Sequence, residues 1–235
     1  MNDVTSKNQF FFDFGRDFDA KFENFFFTQE NKIIQSEILH LLSSEDKQDI
    51  LLFGSPKSGK TFLLNSILNE DAPATTSSIY VDCAKIGTNQ NIFERISSKT
   101  LICIDNVDQS DRSNQVEIFN LINETKDSNT KLIVSTNTHL SELEVLADLK
   151  SRLQQIKFFT LHPISDQDVN RALEFIGTKL NLNFNDDIYK FLATRIRRDF
   201  STMKDTLIAL DKFIYAEKKQ PSKRTVADFL KQFKN

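Results

Sequence analysis

Gly54-Ser55-Pro56-Lys57-Ser58-Gly59-Lys60-Thr61 fits the pattern G-x-x-x-x-G-K-[ST] at every position. It follows the apolar run ILLFG (Ile50–Gly54) and opens the helical pattern TFLLNSIL, the strand-to-helix setting in which the pattern has physical meaning. In that setting successive backbone amides form a nest that, with the helix N-terminus, cradles phosphate oxygens. Gly54, Lys57, Ser58, Gly59, Lys60, Thr61 and Phe62 are the candidate contacts for an adenine nucleotide, ADP or ATP. Lys60 would reach the β- and γ-phosphates, and the Thr61 hydroxyl would hold Mg²⁺.

A second motif supports the first. Leu101-Ile-Cys-Ile-Asp105-Asn106-Val-Asp108 is an apolar strand pattern ending in a carboxylate, the way such proteins bring an acid to the metal beside the phosphate loop. Asp105 is therefore the candidate metal-side carboxylate. The next residue is Asn106, whose amide cannot accept a proton from an attacking water, so unaided hydrolysis is expected to be slow. Asp108 is an acid that could substitute for Asn106, but its place two residues along the chain points it elsewhere.

Outward from these motifs, the runs SIYVDC (Ser78–Cys83), TLICID (Thr100–Asp105), KLIVST (Lys131–Thr136) and IKFFTL (Ile156–Leu161) join ILLFG as nearly continuous apolar segments. Such runs suit parallel strands covered on both faces, and helical patterns such as NQVEIFNLINET lie between them. The alternation predicts an α/β fold with a five-stranded parallel sheet. After His162-Pro163 only helical periodicity follows, over Val169–Leu180, Asp186–Arg197, Ser201–Ala216 and Ser222–Phe233, with Ser165 as the expected first cap. The expected division is residues 1–20 as an N-terminal segment, 21–163 as the nucleotide-binding core and 164–235 as a small helical lid.

Composition narrows the function classes. The chain of 235 residues is 39% hydrophobic and 27% charged, ordinary for a globular protein with a full core. Its 22 Phe residues, with no Trp, read as core filler, and a net charge of −3 gives no sign of a protein that coats nucleic acid. Cys83 and Cys103 lie in apolar runs at no zinc-ligand spacing, so buried free thiols are expected. The N-terminus, MNDVTSKNQFFFDFGRDF, holds no apolar stretch of signal-peptide or membrane-span length, which predicts a cytoplasmic location without membrane contact.

Taken in order along the chain, these motifs and several weaker ones resemble the DnaA/Hda family of AAA+ proteins. Phe22-Glu-Asn-Phe25-Phe-Phe-Thr-Gln-Glu-Asn31 is similar to the family's segment beside the adenine, which implies a nucleotide contact for Asn31. KLIVSTNTHLSEL (Lys131–Leu143) resembles its fourth core strand, with Asn137 at the polar sensor position. Leu149-Lys-Ser-Arg152-Leu153 resembles the box carrying the arginine finger, implying a trans-acting catalytic role for Arg152. In Arg198-Asp-Phe-Ser201-Thr-Met-Lys204 the lid's usual sensing arginine is replaced by Ser201, which leaves open whether Arg198 or Lys204 reaches phosphate. Gln9-Phe-Phe-Phe12-Asp-Phe14 resembles the peptide by which family members engage the sliding clamp, the DNA polymerase III beta subunit, with Gln9, Phe12 and Phe14 as anchors.

The resemblance implies a regulator of bacterial replication initiation that promotes hydrolysis of DnaA-bound ATP while bound to the DNA-loaded clamp. The chain ends at Asn235, just after the lid pattern, so origin-box recognition is not expected and DNA contact is mainly indirect. Two rivals are a self-sufficient ATPase of helicase-loader type and a nucleotide-silent adaptor that sequesters DnaA.

Overall fold

The computed structural model describes residue 17 and residues 19–44, 46–70, 77–87, 92–93 and 96–233. Five parallel strands form one sheet in the order β2-β3-β4-β1-β5: β1 Ile50–Phe53, β2 Ser78–Asp82, β3 Leu101–Asp105, β4 Lys131–Thr136 and β5 Lys157–Thr160. This is the expected α/β architecture, with strand ends trimmed by about one residue.

The apolar runs are continuous because each strand feeds two cores. Leu51, Val81, Ile102, Ile104, Leu132 and Val134 pack with Ile118, Leu121, Leu149 and Leu153, from α3 (Arg112–Thr125) and α4 (Ala147–Leu153). Their immediate neighbours Ile50, Leu52, Tyr80, Leu101, Cys103 and Ile133 pack on the other face. They meet Ile34, Ile38 and Leu41 of α1 (Lys32–Ser43) and Leu63, Leu64 and Ile67 of α2 (Lys60–Glu70). The alternation follows from the two-residue period of a strand. It also fixes the register that sets Phe53 beside Thr136 and Asp82 beside Asp105, so the polar ends of β1, β2, β3 and β4 meet at one edge. In open parallel sheets that carboxyl-terminal edge is where ligands bind. Cys83 and Cys103 are buried thiols, as expected.

Four further helices share a third core: α5 (Val169–Lys179), α6 (Asp186–Ala193), α7 (Phe200–Ala216) and α8 (Lys223–Phe233). Val169, Ala172, Leu173 and Ile176 of α5 are buried at helical spacing against Leu192, Met203, Leu207 and Val226. Two expectations need correction. Ser165 does not cap α5: its hydroxyl donates to Asp168 Oδ2 at 2.9 Å within a preceding turn, and the helix begins after Asp168. The α6 pattern stops at Ala193, not Arg197, because the chain turns at Thr194 and Asp199 caps the next helix through Thr202 N at 3.0 Å. Among the described residues no helix is long and apolar enough to cross a membrane.

Candidate functional site

The loop between β1 and α2 is built around backbone geometry that few residues tolerate. Gly59 has φ +100°, and a Cβ at Gly54 would lie 2.6 Å from Ser58 Oγ and 3.0 Å from the Leu161 carbonyl oxygen. Lys57 takes a left-handed conformation at φ 66°, a departure that non-glycine residues show mostly at functional turns. The buried Lys60 ammonium crosses the loop and donates to the carbonyls of Gly54 at 2.5 Å and Ser55 at 3.1 Å, and to Asn137 Oδ1 at 3.0 Å. Burial pushes its pKa down, opposed by the charges of Asp105 and Asp108.

Asp105 is fully buried beneath this loop. Thr61 Oγ1 donates to its Oδ2 at 2.6 Å and Tyr80 Oη donates to the same oxygen at 2.8 Å, while the Ser135 hydroxyl donates to Oδ1. The Thr61 proton is thereby spent on Asp105, leaving the hydroxyl lone pairs for a cation. An all-oxygen donor set of this kind suits Mg²⁺, which Thr61 would hold with Asp105 behind it. Tyr80 and Ser135 escaped the sequence reading, although a serine inside the buried run LIVST was a signal. Burial, then the Asp105 charge, drives the Tyr80 pKa far upward, so the hydroxyl remains a donor. Tyr80→Phe removes one hydrogen bond to a charged group and is expected to lower stability by about 1.5–3 kcal/mol, read by urea unfolding; an unchanged midpoint would show that the bond contributes nothing.

Asn106 and Asp108 correct an expectation. Asn106 adopts a left-handed conformation (φ 55°, ψ 48°) and leads into a 3-10 turn over Val107–Gln109. That reversal brings Asp108 back to the cleft instead of pointing it elsewhere. Its Oδ1 accepts from Asn137 N at 3.0 Å and its Oδ2 from Asn137 Nδ2 at 3.3 Å. The Asn106 amide is used at both ends, donating to Asp82 Oδ1 at 2.8 Å and accepting from Asn137 Nδ2 at 3.0 Å. Asn137 thus joins Lys60, Asn106 and Asp108.

A cleft of about 800 Å³ opens over these groups, within the range of small-molecule sites. The structure brings Asn31, Lys57, Ser58, Gly59, Lys60, Thr61, Phe62 and Asn137 to its lining, with Gly54 and Asp105 beneath. Asn31 also anchors the cleft wall: its Nδ2 donates to the His162 carbonyl at 2.8 Å and its Oδ1 accepts from His162 N at 2.9 Å. Phe25, Phe26, Phe62 and Phe200 make the apolar part, with Phe62 and Phe200 rings 6.4 Å apart across the junction of sheet and helices. Flat rings of this kind offer stacking surface to a planar base. From α7, Ser201 and Lys204 face the cleft, whereas Arg198 pairs with Asp166 at 2.7 Å.

Arg152 is not brought to this cleft. It lies in the last turn of α4, over the Phe119 ring at 5.8 Å and 3.5 Å from Gln155 Oε1; among the described residues it forms no ion pair with Asp148. Gln9, Phe12 and Phe14 lie outside the described residues.

Comparison with known proteins agrees with this architecture. The family model described as the sigma-54 interaction domain matches residues 29–162. A Haemophilus influenzae protein described as uncharacterized is 31% identical over 200 residues, covering 83% of this chain and 86% of its own length. Among solved structures, domain III of the Thermotoga maritima replication initiation protein DnaA superposes with a TM-score of 0.77 at 20% identity, covering 92% of this chain and 97% of that one. AMPPCP-bound DnaA from Aquifex aeolicus gives 0.71 at 19% identity, covering 82% of this chain and 65% of that one. A Thermotoga maritima RuvB mutant gives 0.71 at 15%, covering 90% and 72%. The structural likenesses establish the fold, and the model's match across more than half of the residues establishes the family. The chain belongs to the sigma-54 interaction domain family and has an AAA+ fold like that of DnaA domain III.

Proposed function

We propose that this chain is an Hda-like AAA+ regulator of bacterial replication initiation. It holds ADP or ATP with Mg²⁺ in the cleft over Gly54–Thr61 and binds the DNA-loaded sliding clamp through Gln9, Phe12 and Phe14. It presents Arg152 to the ATP of a DnaA subunit and so promotes hydrolysis there. The observation that carries this reading is the place of Arg152. A guanidinium outside its own nucleotide cleft, held among the described residues by the Phe119 ring and a 3.5 Å contact to Gln155, is available to another subunit's phosphates. The fold shared with domain III of a replication initiation protein supports a related AAA+ role.

The tether is tested by Gln9→Ala with Phe14→Ala. Clamp binding, followed by surface plasmon resonance on immobilised clamp, is expected to disappear. Folding stability should stay within about 0.5 kcal/mol, because a peptide committed to a partner adds little to this chain's own core. Retained clamp binding, or a loss of several degrees in melting temperature, would assign the segment to the protein's own packing.

The family's description also names sigma-54. Stimulation of a sigma-54-dependent promoter, with DnaA turnover unaffected, would favour that partner instead.

A further inference from the structure

Asn106 stands where the chain leaves β3 toward the cleft, yet its amide neither accepts a proton nor is free to move, being bonded to Asp82 and to Asn137. The left-handed turn at Asn106 returns the chain so that Asp108, a carboxylate, lines the cleft with Lys60 and Thr61. Among the described residues the hydrogen-bond donors to Asp108 belong to Asn137, at 3.0, 3.3 and 3.5 Å. A carboxylate has about four lone-pair sites, so Asp108 is fixed from one side and keeps acceptor capacity toward the cleft. Asn137 also receives the Lys60 ammonium at 3.0 Å. One side chain therefore spaces the acid from the cation that marks the terminal phosphate.

We infer that Asp108 is the water-activating carboxylate of this cleft, displaced by two positions from the residue that follows the metal-side Asp105. The inference rests on the nucleotide reading of the cleft. In the step, a solvent water oxygen bonds to the γ-phosphorus while the bond from that phosphorus to the β–γ bridging oxygen breaks. ADP leaves with the bridging oxygen, the water proton passes to the Asp108 carboxylate, and that proton is released to solvent with phosphate. Turnover by the isolated protein stays slow because its own Arg152 lies outside the cleft, and Asp108 supports this residual rate.

The test is single-turnover hydrolysis of labelled ATP by the full chain, with ATP affinity measured in parallel by calorimetry. Asp108→Asn is expected to cut the rate constant by about 10²-fold or more, in the range of general-base removal, while ATP affinity stays within about threefold of wild type. Asp108→Glu keeps the acid and is expected to retain more of the rate than Asp108→Asn. Three results would overturn the assignment: an Asp108→Asn rate equal to wild type, a loss of ATP affinity that accounts for the loss of rate, or tight ATP binding by wild type with no turnover at all. If wild type binds neither ATP nor ADP, the nucleotide reading itself fails, and calorimetry alone distinguishes that case.

Discussion

Arg152→Ala is expected to abolish stimulation of DnaA-bound ATP hydrolysis while leaving fold, nucleotide binding and clamp binding intact. A guanidinium delivered across a subunit boundary stabilises charge that develops on the transferring phosphoryl group, an effect on the order of 10³–10⁵ in rate. Little local cost opposes the change, since Arg152 makes one 3.5 Å contact to Gln155 and a cation–π contact to Phe119. Arg152→Lys should recover little, because an ammonium lacks the planar fork that matches phosphate geometry. DnaA turnover measured with each purified variant, in the presence of DNA-loaded clamp, reads the effect. Wild-type stimulation by Arg152→Ala would return Arg152 to the role of a surface residue packed on Phe119.

Lys60→Ala is expected to remove nucleotide binding. The ammonium is buried and bonded to Gly54, Ser55 and Asn137, so it is already positioned at the loop that would receive phosphate. Truncating one partner of a buried, hydrogen-bonded charge pair costs about 2–5 kcal/mol, which weakens binding by about 30-fold to several thousand-fold as read by calorimetry. The substitution also leaves the Gly54 carbonyl and Asn137 Oδ1 without the donor that joins them, so a modest loss of thermal stability should accompany it. Unchanged ATP affinity in Lys60→Ala would mean that the phosphates sit elsewhere.

The parts of this site legible from sequence are those encoded contiguously. Gly54–Thr61 carries its own geometry in two glycines, a lysine and a threonine, and the strand ending in Asp105 announces itself by an apolar run closed with an acid. What stayed hidden depends on residues that meet only in three dimensions. Tyr80 reaches Asp105 from 25 positions away and Ser135 from 30, and neither fits a local motif. Asp108 was misplaced because a strand direction was extrapolated through Asn106, where a left-handed turn reverses the chain. Asparagine is among the few residues that tolerate that conformation, so the reversal was a possibility written in the sequence but not a necessity. The caps at Asp111 and Asp199 were likewise present as residue types. Only the fold selects which of the candidate polar residues acts as a cap.

The role of Asn31 shows the same limit in the opposite direction. A polar residue beside the cleft is readable from sequence, whereas its two hydrogen bonds to His162, 131 positions along the chain, are not. Sequence proximity to the aromatic segment said where the residue would be. It could not say which hydrogen bonds would be satisfied within the protein.

The activity proposed for this chain is promotion of hydrolysis of ATP held by DnaA. The direct measurement is DnaA-bound ATP turnover with and without this protein, each with and without DNA-loaded clamp, at one molecule of this protein to many of DnaA. A large acceleration is expected only when protein and loaded clamp are both present, persisting over many DnaA molecules for each copy of this chain. DnaA turnover equal in all four mixtures, or an effect that appears only at equimolar protein as sequestration requires, would contradict it.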